Sequence, residues 1–275
     1  MKKLTWHAAG LTDPGLVRSE NQDNFSISPD VRVFVVADGM GGTEGGALAS
    51  KLAVEELANF RERTEPDLAD PDSLRSWLTN SIACANARVV VTAESSKKTK
   101  RMGTTIVAAV QSDDGMLHIA HVGDSRAYLV RQGKASLLTN DHSVVMEMYQ
   151  RGQLTMSQLQ ASPYKHLITR CLGHGPDVAC DYTSLKAEPG DWIILASDGL
   201  PAVVDEDEVA KAVANAEDPK QACSALVEKT LAGGAPDNVT VLVVYYQDEK
   251  TDEEPADIES AHNGLELSKN CSPGA

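Results

Sequence analysis

Four aspartates stand where apolar runs give way to loop residues: Asp38 in VFVVADGMGG, Asp124 in HVGDSRAY, Asp198 in WIILASDGL and Asp237 in GGAPDNVTVLVV. A carboxylate beside a buried strand is costly unless something compensates it, and several at strand ends invite a cation. Carboxylates, backbone carbonyls and water are ligands for hard divalent ions, which favours Mg²⁺ or Mn²⁺ over zinc. The glycines after Asp38 and Asp198 let the backbone come close to such an ion. Asp-Gly is also a common turn dipeptide, so any one of these aspartates alone reads more readily as a turn residue. Only the set carries weight. DGMGGTEGG is not a nucleotide cradle: Glu44 stands at the last position of a G-x-G-x-x-G spacing, and no G-K-[ST] follows.

Such aspartates need strands that end together. Residues 4 to 10 and 31 to 37 (VRVFVVA) read as strands, with a turn-rich segment between them. Two helical patterns follow. The first covers about 44 to 61, with Leu48, Leu52 and Leu57 near helical spacing. The second starts at Asp70-Pro71, a capping residue before the proline suited to a first turn, and carries the stripe Leu74, Trp77, Leu78, Ile82, Ala85, Val89. From Thr104 the runs shorten to TTIVAAV, MLHIAHV, RAYLVR and ASLLT with turn residues between them, which predicts an antiparallel meander. Residues 143 to 170 are mixed, helical around Met146 to Arg151, and read as a mobile insertion over a surface. WIILASDG reads as a buried strand, and helices at about 205 to 216 and 218 to 231 precede a last strand, NVTVLVVYY. Grouped helices and strands in meanders point to antiparallel sheets covered by helices, not to alternating βαβ units.

The 275 residues carry a formal charge of −15, of which −6 falls in residues 247 to 275, leaving −9 on the body. An acidic body excludes a reader of nucleic-acid backbone and suits a basic partner or metal cations. Five cysteines, Cys84, Cys171, Cys180, Cys223 and Cys271, form no C-x-x-C pair and read as reduced cytosolic thiols. MKKLTWHAAGL lacks the apolar stretch of a secretion signal, and no apolar run approaches the roughly 20 residues of a membrane helix. A soluble, cytoplasmic protein is expected. His118 and His121 have odd spacing on one strand and are expected to face different surroundings in structural roles; His142 is placed as a helix cap. His166 and His174 flank the insertion as candidates for substrate contact.

The ordered motifs R-S-E-N-Q-D-N-F (18 to 25), A-D-G-M-G-G (37 to 42), M-G-T-T (102 to 105), H-V-G-D-S-R (121 to 126), L-T-N-D-H-S (138 to 143), I-T-R-C-L-G (168 to 173), S-D-G-L (197 to 200) and P-D-N-V-T (236 to 240) span nearly the whole body. Together they resemble the metal-dependent PP2C-type (PPM) protein phosphatases, especially their bacterial branch. The resemblance implies an α+β fold, a four-layer αββα sandwich of two packed antiparallel β-sheets flanked by helices. The expected catalytic domain covers 1–247, with the polar segment at about 143–170, holding Gly152, Ser162 and Pro163, as its flap; the acidic 248–275, low in hydrophobicity, reads as a disordered tail.

Carried over residue by residue, the resemblance implies that Asp38 bridges two Mn²⁺ or Mg²⁺ ions, with the Gly39 carbonyl on one and Asp198 and Asp237 on the other. A third, weaker ion would use Asp124 with Asp198. Arg18 would hold the substrate phosphate through a forked contact, Asp23 would anchor ion-bound water, and Asn238 would orient Asp237. The implied reaction is hydrolysis of phosphoserine and phosphothreonine by direct attack of a metal-bridging hydroxide, with Arg18 and Asp38 catalytic and no phosphoenzyme. Ser125, Thr104 and Thr105 would then have structural work only. The implied partners are phosphorylated Ser/Thr proteins, including a cognate kinase, in bacterial signalling.

The chain departs from the family pattern at the proton donor. Met40 stands where many eukaryotic members place a histidine, and Thr43 where many bacterial members do; Gln22 replaces a metal-associated glutamate of eukaryotic members. A catalytically weak or silent regulatory binding protein of the same fold is the alternative from another class. Its expected signature is loss of the metal aspartates, and here all are present. A phosphatase of small molecules is the second enzymatic alternative.

Overall fold

The structure, a computed structural model, describes residues 4–42, 45–95 and 99–249, with the backbone alone at Val31. The expectations for Thr43, Glu44, Cys271 and residues 250–275 lie outside the described residues. Eleven strands and six α-helices are described. The first sheet runs β1 (Leu4–Asp13), β11 (Val239–Asp248), β10 (Trp192–Ala196), β7 (Arg126–Arg131) and β8 (Lys134–Leu137) in spatial order. The second runs β2 (Asp23–Ser28), β3 (Val33–Met40), β5 (Ile106–Gln111), β6 (Met116–Val122) and β9 (Asp181–Lys186), with the short β4 (Gly103–Thr104) on β3. All pairings are antiparallel.

Both faces of the central strands are covered, which explains why their sequences read as unbroken apolar runs instead of alternating ones. In β3, Phe34 and Val36 point into the core between the sheets with Val107, Ile119, Ile193, Leu195 and Leu242. Val33, Val35 and Ala37 point the other way, against α1 (Gly45–Arg63) and α2 (Pro71–Ser95). The first sheet is covered by α5 (Glu206–Ala214) and α6 (Pro219–Ala232), through Val209, Val213, Leu226 and Val227. Four layers result, α on β on β on α. The expected sandwich is the observed one.

Helix starts follow the sequence closely. Asp70 accepts from the Asp72 amide at 3.0 Å ahead of Pro71, and the stripe Leu74, Trp77, Leu78, Ile82 is buried, each side chain contributing roughly 1.5–3 kcal/mol. Asp205 and Asp218 cap α5 and α6 by accepting from the amides of Glu208 and Gln221. Residues 143–170 hold two short helices, α3 (Val144–Gln150) and α4 (Met156–Gln160). The cap of α3 is Ser143, whose hydroxyl accepts from Met146, so the helix-cap role expected of His142 is corrected. His142 stacks on His121, ring centroids 4.7 Å apart, and accepts the Gly123 amide at Nδ1. His118 faces elsewhere, bonded to the Tyr182 hydroxyl.

Two strands were missing from the sequence reading, β2 and β9. Both are sheet edges with few apolar residues, so neither stands out from the loops around it. The strand read over 4 to 10 runs on to Asp13, and the last strand reaches Asp248, one residue past the expected domain end. No helix among the described residues is long and apolar enough to cross a membrane.

Candidate active site

The sheets deliver their aspartates to one place. Asp38 lies near the end of β3, Asp124 and Asp198 just beyond β6 and β10, and Asp237 just before β11. All four line an open cavity of about 720 Å³ with Arg18, Gly39 and Asn238. The backbone of Asp38 is clamped. Its amide donates to Thr105 Oγ1 at 3.0 Å, its carbonyl accepts from Thr105 N and Thr104 Oγ1, both at 2.8 Å, and Thr105 Oγ1 lies 2.6 Å from Ser125 Oγ. The three hydroxyl residues thus hold the strand end.

Crowding of like charge dominates the electrostatics. Loss of water to the surrounding protein, then the charges of Asp23 and Asp198, hold the Asp38 carboxyl well above the usual carboxylate range. Asp198 is raised by the same loss of water and by Asp237, and its side chain is hydrogen-bonded to Asp38. Burial, then Asp198, pushes Asp124 up to about 7. Two carboxyl groups in contact need a proton or a cation between them. Among the described residues lining the cavity, Arg18 is the one Lys or Arg, and its Nη2 donates to Asp237 Oδ2 at 2.7 Å.

Behind this floor sits Asp23, paired in register with Asp38 across β2 and β3 and only 5% exposed. Its Oδ2 accepts from Ser197 Oγ and Thr240 Oγ1, each at 2.7 Å, while Oδ1 is buried without a protein partner. Burial pushes its pKa up to about 7. Asn238 ties the loop carrying Arg18 to the start of β11. Its Nδ2 donates to the Pro14 and Glu20 carbonyls, its Oδ1 accepts from Gln22 N, and its own amide donates to Asp237 Oδ1 at 2.9 Å.

The family description "Protein phosphatase 2C" matches residues 17–232. The chain belongs to the protein phosphatase 2C family. It is 34% identical over 241 residues to the serine/threonine phosphatase stp of Listeria monocytogenes serovar 1/2a, covering 86% of this chain and 95% of that one. The solved Streptococcus agalactiae serine/threonine phosphatase superposes with a TM-score of 0.81 at 34% identity, over 88% of this chain and 99% of its own. The catalytic domain of the phosphatase PstP, solved in complex with two manganese ions, superposes at 0.77 and 32% identity, over 89% and 100%. This protein phosphatase 2C member is accordingly a metal-dependent protein serine/threonine phosphatase acting on phosphoproteins.

The residues fit the metal chemistry of that family. The donors are all oxygens, the Asp198 side chain is hydrogen-bonded to Asp38, and a buried Asp23 oxygen lacks a protein partner. Among the described residues no three His, Cys, Asp or Glu side chains enclose an ion by themselves. The all-oxygen donor set suits Mg²⁺ or Mn²⁺, which retain water and accept carbonyl ligands, better than zinc.

Two features of the site were not anticipated. Ser197 and Thr240, the hydroxyl partners of Asp23, lie inside the S-D-G-L and P-D-N-V-T motifs beside the aspartates, so their position was the available signal. Gln22 takes no part in the carboxylate cluster through a charge; its Nε2 donates to the Gly42 carbonyl at 2.8 Å. His166 reaches the cavity, Nδ1 standing 3.9 Å from Asp198 Oδ2, whereas His174 lines a separate pocket with Arg170 and Asp177.

Proposed function

We propose that Asp38, the Gly39 carbonyl, Asp198 and Asp237 hold two Mn²⁺ or Mg²⁺ ions, and that Asp124 with Asp198 takes a third, weaker one. The observation that carries the reading is a single cavity lined by Asp38, Asp124, Asp198 and Asp237, with Arg18 as the one Lys or Arg among its described lining residues. When bound, the ions supply an activated water and offset negative charge on the phosphoryl oxygens.

The chain's own residues do the rest. Arg18, its side chain 57% exposed at the cavity, presents a planar fork of donors that matches phosphate oxygens. Asp23 offers its free buried oxygen as an acceptor behind Asp38, in the role of anchoring water. Asn238 holds the Arg18 loop and Asp237 in fixed relation through four hydrogen bonds. Met40 lines the cavity and has no proton to give a leaving alkoxide.

The substrates are phosphoserine and phosphothreonine proteins; a cognate Ser/Thr kinase is proposed among them, with signalling in the cytoplasm. Residues 1–247 are proposed as the catalytic domain, 143–170 as its flap and 248–275 as a tail without catalytic part. Removing residues 250–275 should leave turnover intact. The deciding experiment is phosphate release from a phosphothreonine peptide with EDTA, Mg²⁺ or Mn²⁺, for wild type and Asp198→Asn. Metal-dependent release abolished by the substitution supports the assignment; undiminished release in Asp198→Asn would refute it.

A further inference from the structure

A second cavity, about 360 Å³, opens beside the first and shares Asp124, His166 and Asp198 with it. It runs between residues 143–167 and the turn after β10. Its walls are apolar, with Val145, Met156 and Leu159 on one side and Pro201, Val203 and Val204 on the other. Its rim is acidic: Asp205 and Glu206, both exposed, open α5. Arg126 does not neutralise that rim, because Asp141 takes its Nε and Nη2 at 2.9 and 2.7 Å; Lys165 is the other cation lining the groove.

Apolar exposure is concentrated in the same region. Of nine large apolar side chains exposed among the described residues, five lie within 144–167, and two more, Leu16 and Val17, directly precede Arg18. Exposed apolar surface gathered round one site marks a contact surface, not random scatter. Continuity with the aspartate cavity says what makes the contact: the polypeptide on either side of a residue held there.

We infer that this groove seats substrate residues flanking the phosphorylated serine or threonine, taking an apolar side chain between α4 and the Pro201–Val204 turn and a basic one beyond it at Asp205 and Glu206. The inference rests on the reading of the aspartate cavity as the phosphate site. An extended peptide advances about 3.3 Å per residue, so only one or two positions near the phosphorylated residue can present a side chain to the groove.

The test is kinetic, on the full chain with Mn²⁺. Phosphothreonine peptides carrying Leu, Gly or Asp at successive flanking positions, and Lys or Glu at the next, are compared alongside a small aryl phosphate. One position should prefer Leu over Asp by roughly 10- to 100-fold in kcat/KM. Leu159→Lys and the more exposed Met156→Lys should collapse that ratio, Met156→Leu should keep it, and Glu206→Lys should reverse the preference for Lys over Glu. Peptide rankings that match wild type in Leu159→Lys and Met156→Lys, with the aryl phosphate still hydrolysed, would overturn the groove alone. Loss of aryl phosphate turnover in the wild type would overturn the phosphate-site reading and the groove with it.

Discussion

Arg18 and Asp237 lie 219 positions apart in the chain and meet through one hydrogen bond of 2.7 Å, guanidinium Nη2 to carboxylate Oδ2. The same carboxylate is a proposed metal ligand, so the arginine and the ion compete for it. The pair is exposed, side chains 57% and 33%, and an ion pair of that kind is worth little, about 0.2–1 kcal/mol. Arg18→Ala should therefore tighten Mn²⁺ binding up to about fivefold by calorimetry. It should also slow phosphopeptide hydrolysis by about a hundredfold, since a phosphate donor is gone. Weaker ion binding in the variant would mean that Arg18 supports the metal site instead of yielding to it.

Acidity should stabilise the metal-free protein. Asp23 and Asp124 have folded-state pKa values pushed up to about 7, against 3.8 for an ordinary aspartate. The folded state thus holds more protons than the unfolded one between about pH 4 and 7, and stability falls as pH rises through that window. His142, lowered to about 4 by burial and by His121, pulls the opposite way between about 4 and 6.5, as do His118 and His121, both lowered by burial; Asp38 and Asp198, raised by burial, add to the carboxyl side. In EDTA the melting temperature should be higher at pH 5 than at pH 7.5, and Mn²⁺ should close the gap at pH 7.5. A metal-free profile that rises with pH would show that these carboxyls titrate normally.

Asn238→Ala removes both donors to Pro14 and Glu20 and the acceptor for Gln22, leaving partly buried backbone groups unpaired. A loss of about 2–4 kcal/mol in urea unfolding is expected. The loop over residues 14–22 should be cut faster by protease in the folded protein. Unchanged cleavage with lowered stability would localise the damage elsewhere.

Gly39→Ala tests how tightly the first strand end is packed. A Cβ there would stand 2.1 Å from the Gly46 carbonyl oxygen and 2.6 Å from that of Gln22, both backbone atoms. Neither can yield by rotating a side chain, so β3 or α1 must shift. Circular dichroism should report a lowered melting temperature, and calorimetry weaker Mn²⁺ binding by tenfold or more.

The aspartates were legible because each breaks an apolar run, and those runs are long because both faces of β3, β10 and β11 are buried. The helices were legible through apolar stripes and, at Asp70, through a cap; the caps at Asp205 and Asp218 emerged with the structure. What escaped depends on contacts between distant segments. Phe25 and Ile27 reach the core from an edge strand whose other residues are polar, so β2 looked like loop. Asp23 was named only through the family resemblance, and its hydroxyl partners stay hidden until Ser197 and Thr240 arrive from another sheet. His142 follows a turn like any capping residue, and only its stack on His121 assigns it elsewhere.

The pairing of β1 with β11 sets when this protein can become active. Asp13 lies opposite Val239, and the Arg18 loop hangs on Asn238. A nascent chain still lacking its last strand has neither Asp237 nor the anchor for Arg18, whatever the earlier strands have formed. Contacts of such sequence separation form late and slowly. On the proposed site, hydrolysis must then await the emergence and pairing of β11, so a chain without that strand cannot strip phosphate from proteins around it.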